Sequence, residues 1–219
     1  MPLKAVLFDM DGVIVDTEPI HKNAYFKMFE NFGAAVNEEL YATFAGASTR
    51  KVCETVIEKF GLNEQPEKLE EVKRNYFKEL FYADNGFGMI PGMKKLIEHY
   101  AKNDIQLVLA TSASHTTIRM VFDKFGLNKY FKEVISGTDL RASKPHPEIF
   151  LKAAELSGEN KANCMVIEDS TNGITAAHRA GIFCAAYNNG NTRLQDYSLA
   201  DILVSDFSEL EIEKLKAYF

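Results

Sequence analysis

From Pro91 onward, short apolar runs alternate with patterns of helical spacing, and no other feature restricts the fold so much. Met93, Leu96, Ile97 and Tyr100 recur at three- and four-residue steps and predict a helix. Residues 105–110 predict a strand. Ile118, Val121, Phe122 and Phe125 predict a helix stopped by Gly126, and Val134 with Ile135 a short strand. Ile149, Phe150, Ala153 and Ala154 mark another helix, 165–167 a strand, and Ile174, Ala177 and Ala180 a helix leading to Gly181. Strands at 182–186 and 202–204 and a last helix complete the series. Strands that alternate with helices form a parallel sheet covered on both faces.

One more strand, at residues 3–8, stands apart from this series. Its apolar run does not alternate, as expected of a strand buried on both faces. Between it and Pro91 only helical patterns occur. Ile20, Ala24, Tyr25, Met28, Phe29 and Phe32 form one, stopped by Gly33. Val52, Val56, Ile57 and Phe60 form a second, stopped by Gly61, and Leu69, Val72, Tyr76, Phe77, Leu80 and Phe81 a third. The expected architecture is therefore α/β: a Rossmann-like parallel sheet core from residues 1–16 and 88–219, with an inserted all-helical domain at 17–87. The hinges fall near 16–19 and 85–91, the second rich in Gly and Pro.

The 219 residues suffice for a core domain with an insert. A net charge of −6 disfavours nucleic acid or an anionic membrane as the main partner, because phosphate backbones require a basic surface. It leaves room for a small basic pocket. Cys53, Cys164 and Cys184 are widely spaced and odd in number, which predicts free thiols in a reducing compartment. Lys4 before a short run that ends in acid does not resemble a signal peptide, and no apolar stretch approaches the ~20 residues of a spanning helix. A cytoplasmic protein is expected.

Open parallel sheets bind ligands beyond the carboxyl ends of their strands. Asp9 and Asp11 follow the first predicted strand, Thr111 and Ser112 the second, and Glu168 and Asp169 the strand at 165–167, while Lys144 precedes a helix in SKPHPEIF. Each has an ordinary reading alone. Asp9 and Asp11 could cap a turn, Thr111–Ser112 could start a helix, and Glu168–Asp169–Ser170 could place acids at a helix dipole. Lys144 could be a solvated loop residue. Together they would gather four carboxylates at one sheet edge, where mutual repulsion resists ionisation. Hard oxygen ligands without His or Cys point to Mg²⁺. A cation, a lysine and hydroxyl and N–H donors together suit a phosphoryl group.

The segments DMDGVIVDT, LVLATSAS, KPHPEIF and VIEDSTNGITAAHRAG resemble the four motifs of the haloacid dehalogenase-like superfamily. The spacing and the helical block after the first motif resemble its β-phosphoglucomutase-like subfamily. The resemblance implies a nucleophile at Asp9, which would form an aspartyl-phosphate, and a general acid and base at Asp11. It implies phosphoryl-holding groups at Thr111 and Lys144, and Mg²⁺ on Asp9, Glu168, Asp169 and Asp11, the last through its main-chain carbonyl. Thr17, His21, Gly46, Ser48, Arg50, Ser112 and Ala113 would touch substrate. The substrate would be a small phosphorylated metabolite and the protein a monomer.

The helical block would close over the site and read the rest of the substrate. His21 occupies the place where β-phosphoglucomutases carry a histidine that steers the acid/base aspartate; as a lone residue it could equally be an exposed helix position. Those mutases grip the second phosphate with glycine and serine followed at once by arginine. In FAGASTRKV, Gly46 and Ser48 fit, but Arg50 comes one residue late and Ala45 replaces a lysine. One residue on a helix turns a side chain by ~100°. Arg50, Lys51, Lys73 and Arg74 are expected to be solvated helix charges. These departures favour a phosphatase, acting on a substrate such as a sugar phosphate, over a mutase. Asp11 argues against a 2-haloacid dehalogenase, which lacks the second acid. A non-catalytic binding protein would not need every motif position filled.

Overall fold

The computed structural model describes residues 2–44, 47–83, 87–188, 190 and 195–219. In chain order, β1 (Ala5–Phe8) is followed by four helices: α1 (Glu18–Asn31), α2 (Glu38–Ala42), α3 (Thr49–Phe60) and α4 (Pro66–Ala83). Then come α5 (Met93–Lys102), β2 (Gln106–Thr111), α6 (His115–Phe125), β3 (Phe131–Ser136) and α7 (Glu148–Ser157). The chain continues through β4 (Cys164–Glu168), α8 (Thr171–Ala180), β5 (Phe183–Tyr187), β6 (Ile202–Val204) and α9 (Ile212–Leu215). Its contacts divide it into two compact units, 1–16 with 88–219, and 17–87.

In the first unit the strands form one sheet in the order β3-β2-β1-β4-β5-β6, and every pairing is parallel. Side chains alternate across the sheet. Ala5, Leu7, Val108, Ala110 and Val166 face Ile149, Phe150 and Ala153 of α7 and Ile174 and Ala177 of α8. On the opposite face the Phe8 ring meets Tyr100 of α5 edge-on, with centroids 6.3 Å apart, and Phe131 at 5.5 Å. The Tyr100 hydroxyl, fully buried, donates to the Leu210 carbonyl at 2.6 Å, so no donor is stranded. Each large apolar side chain so buried is worth roughly 1.5–3 kcal/mol. The non-alternating runs of β1 and β4 follow from this double cover, since every residue of either strand is buried.

The order runs outward in one direction from β1 through β2 to β3 and in the other from β4 to β6. The sheet therefore reverses direction between β1 and β4, and the crevice at their carboxyl ends is the binding position of this topology. Where the chain leaves and re-enters this unit, Val15 forms an antiparallel bridge with Met89, and the Ile90 N–H donates to the Ile14 carbonyl at 3.0 Å.

The second unit is helical throughout its described residues and has its own core, built from Met28, Phe29, Val52, Cys53, Val56 and Leu69. Ser48 caps α3 by accepting from the Lys51 N–H at 3.2 Å, and Gly61 ends that helix in the left-handed conformation. Three elements differ from expectation. The five-residue α2 is too short for a periodic signal; Asn37 caps it, its side chain accepting from the Leu40 N–H at 2.9 Å. Strand β3 reaches back to Phe131 through the charged pair Lys132–Glu133. The last predicted helix is a 3-10 turn at Phe207–Leu210 followed by the four-residue α9.

Candidate active site

The carboxyl ends of β1, β2 and β4 carry Asp9, Thr111 and Glu168. Phe8 pairs with Leu109 on one side and Ile167 on the other, so Asp9 emerges beside Glu168. The Asp9 N–H extends the ladder by donating to the Ile167 carbonyl at 3.0 Å. Lys144, which precedes a cis peptide to Pro145, bridges the two acids: its Nζ lies 2.6 Å from Asp9 Oδ1 and 2.7 Å from Glu168 Oε1. It also donates to the Ala110 carbonyl at 3.1 Å. All three side chains are buried, with 6% of Lys144, 9% of Asp9 and 1% of Glu168 exposed. The Arg179 guanidinium holds the lysine's loop by donating to the Pro145 carbonyl at 3.1 Å.

Glu168 is fixed from its other side. Its Oε2 accepts from the Asp169 and Ser170 N–H groups, both at 2.8 Å, and from the Ser170 hydroxyl at 3.0 Å. The carboxylate thus folds back over the start of α8, where the dipole favours negative charge. It occupies the space a side chain at Gly173 would need. Asp169 reaches in toward the same place. A Cβ at Gly12 would overlap its carboxylate, and Gly12 has φ +85°, so only glycine lets the turn after Asp11 pass so close.

Asp9, Glu168 and Asp169 offer carboxylate oxygens that all lie within 4.8 Å of one another. Asp11, half-buried on the turn just beyond, adds its charge to those felt by Asp9 and Asp169. Burial raises the Asp9 carboxyl, Lys144 opposes this, and Glu168 and Asp11 add to it; the balance stands at about 7. Burial, then Glu168 and Asp9, push Asp169 up to about 9 against Lys144. Burial alone would lower the Lys144 ammonium, but the two carboxylates override it and hold it above the ordinary lysine value. One lysine therefore does not neutralise the cluster. An all-oxygen donor set with surplus negative charge fits a hard divalent cation such as Mg²⁺.

At the end of β2, Thr111 is fully buried, and its Oγ1 accepts from the Ala113 N–H at 3.1 Å. The hydroxyl proton of Thr111 is consequently directed away from Ala113. Ser112, between them, is exposed.

In the helical unit, Thr17 is buried at the start of α1. The His21 ring stacks on Phe77, with centroids 4.3 Å apart, and its Nδ1 lies 2.7 Å from Lys73 Nζ. Burial and then Lys73 lower the imidazole to about 3. An ammonium can only donate, so Nδ1 accepts and the ring proton sits on Nε2. Lys73 is not the solvated charge its type suggested. It is buried, 4.7 Å from the Tyr25 ring centroid and 5.4 Å from that of Phe77. Its position was readable: Leu69, Lys73, Phe77 and Phe81 form an i, i+4 stripe, and the stripe is the buried face of α4. Gly46 lies outside the described residues. Ser48 serves as the α3 cap, and Arg50 pairs with Glu67 at 2.6 Å and Glu54 at 3.3 Å.

The family model of haloacid dehalogenase-like hydrolases matches residues 6–187. The chain belongs to that family. Among haloacid dehalogenase-like hydrolases, it is 32% identical over 184 residues to the phosphorylated carbohydrates phosphatase of Thermotoga maritima, covering 82% of each chain. It is 28% identical to the β-phosphoglucomutase of Bacillus subtilis, covering 97% of this chain and 94% of that one. The crystal structure of CbbY from Rhodobacter sphaeroides in complex with phosphate superposes with a TM-score of 0.82 at 25% identity, over 95% of this chain and 96% of that one. Like these β-phosphoglucomutase-like relatives, this haloacid dehalogenase-like hydrolase is an enzyme of the phosphatase or phosphotransferase type. No helix among the described residues is long and apolar enough to cross a membrane.

Proposed function

We propose that the chain is a Mg²⁺-dependent phosphatase of a small phosphorylated metabolite such as a sugar phosphate, working through an aspartyl-phosphate on Asp9. The observation that carries this reading is the buried contact of Lys144 with both Asp9 and Glu168 beside Asp169. An Asp9 oxygen attacks phosphorus as the bond from phosphorus to the ester oxygen breaks. Asp11 gives a proton to the departing oxygen. In the second half Asp11 takes a proton from water, whose oxygen attacks the same phosphorus, releasing phosphate and restoring Asp9. Proton transfer of this kind is worth about 10²–10⁴ in rate. Thr111 and Ser112 donate to the phosphoryl oxygens, and Lys144 holds Asp9 in line. Mg²⁺ held by Asp9, Glu168, Asp169 and the Asp11 carbonyl would supply the charge that offsets repulsion between carboxylate and phosphoryl group.

Isomerisation of a sugar phosphate is the second reading, favoured by likeness to β-phosphoglucomutase over nearly the whole chain. It requires a grip on a second phosphate. Arg50, the nearest match to that grip, already has two carboxylate partners, which supports the phosphatase. A phosphoester panel with Mg²⁺, run on the wild type and on Asp9→Asn, tests the proposal. Phosphate release by the wild type and a fall of about 10⁴-fold or more in the folded variant are expected, the scale on which a lost nucleophile is felt. Activity surviving the substitution would place the nucleophile elsewhere. Conversion of β-glucose 1-phosphate to glucose 6-phosphate without phosphate release would select the mutase.

A further inference from the structure

The turn that follows β3 lies against the loop that follows β2, and the contacts between them are specific. Ser136, fully buried, donates its hydroxyl to the Ala113 carbonyl at 2.7 Å. That hydroxyl is held by its own turn, 2.7 Å from Thr138 Oγ1 and 3.2 Å from the Thr138 N–H. Asp139 accepts from the Ser136 N–H at 3.3 Å and lies 2.9 Å, through each oxygen, from His115 Nε2. Between these two ties, Gly137 packs so close to the main chain that a Cβ there would be 3.0 Å from Ser112 Cα. The residues touched are Ser112, Ala113 and His115, which continue directly from Thr111.

The peptide planes account for what this does. Thr111 Oγ1 fixes the plane that carries the Ala113 N–H. The Ser136 hydroxyl fixes the next plane through its carbonyl. With both held, the Ser112 main chain and the Thr111 hydroxyl have one orientation. Donors aimed in advance at developing charge cost no reorganisation during reaction.

We propose that Ser136 is a positioning residue for phosphoryl transfer, bracing the Thr111–Ala113 loop from behind, with Asp139 as the second tie through His115. The inference rests on the phosphoryl-transfer reading of the site. Ser136 reaches no reacting atom; it acts through Ala113.

The test compares wild type, Ser136→Ala and Asp139→Asn by two readouts. Hydrogen exchange of residues 112–114, measured without substrate, reports the brace alone. Steady-state hydrolysis with Mg²⁺ reports its use. Ser136→Ala is expected to exchange at least tenfold faster in that loop, and to lose about tenfold in kcat with KM changed less than threefold, the size of one lost hydrogen bond. Asp139→Asn, at an exposed position, should shift both readouts the same way by a smaller factor, and it carries the test if Ser136→Ala fails to fold. Unchanged exchange overturns the brace. Faster exchange with unchanged kcat overturns its role in positioning. A wild type without phosphoesterase activity would instead remove the functional reading, and the exchange result would still decide the brace.

Discussion

A Cβ at Gly173 would overlap the carboxylate of Glu168, which folds over the start of α8 to reach the Ser170 N–H and Lys144. Helix propensity alone says that Gly173→Ala should stabilise α8 by ~1 kcal/mol. The overlap reverses the sign, because overpacking a buried site costs about 1–3 kcal/mol and the obstacle is a carboxylate with four protein donors. Gly173→Ala should melt below wild type in a thermal scan and lose most of its phosphoryl-transfer activity. A variant more stable than wild type would mean that Glu168 has another seat.

Removing Lys144 should be costly to the fold as well as to turnover. Lys144→Met would leave Asp9 and Glu168 facing each other in a buried site, and stripping one partner from a buried ion pair typically costs about 3–5 kcal/mol. Chemical denaturation should show a loss of that order near neutral pH and a smaller one in acid, where a proton takes the lysine's place. Equal losses at both would contradict the pairing.

The raised carboxyls set the pH dependence of metal-free protein. Asp9 at about 7 and Asp169 at about 9 both hold protons that the unfolded chain has released. Their contribution to stability is fully present below the ordinary carboxyl value and is lost as pH rises through 7 and then 9. A cation binds the ionised forms, so Mg²⁺ should raise the melting temperature more at about pH 8.5 than at about pH 5.5. A rise independent of pH would argue against a cation on these two acids.

His21 gives the opposite sign. With its imidazole lowered to about 3, the folded state binds fewer protons than the unfolded chain. That contribution is present above the ordinary histidine value and is lost as pH falls toward 3. Lys73→Met should raise the His21 titration, followed by NMR, while leaving it below the ordinary value, since burial is the larger cause. An unchanged midpoint would show that the 2.7 Å contact does not form in solution.

What could be read before folding was whatever has a local signature. Asp9, Thr111 and Glu168 each end a run of apolar residues, and a parallel sheet brings such ends to one edge, so their meeting followed from topology. The glycine stops at Gly61, Gly126 and Gly181 carry their own backbone signal, and all three adopt the left-handed conformation. Long-range polar pairing carries none. Nothing near Ser136 announces that its hydroxyl will find Ala113, 23 residues away. Lys73 lies between the two cases: its type suggested solvent, but its place on the stripe between Leu69 and Phe77 pointed inward.

The bridge between Val15 and Met89 has a modular implication. The outgoing and returning segments are already bridged at the point where the helical insert begins, so for the sheet the whole of residues 17–87 is equivalent to a hairpin loop. A tight turn spliced between those two residues would leave every strand pairing intact. Exchange of the insert for another of different length would likewise leave the sheet's own pairings unchanged.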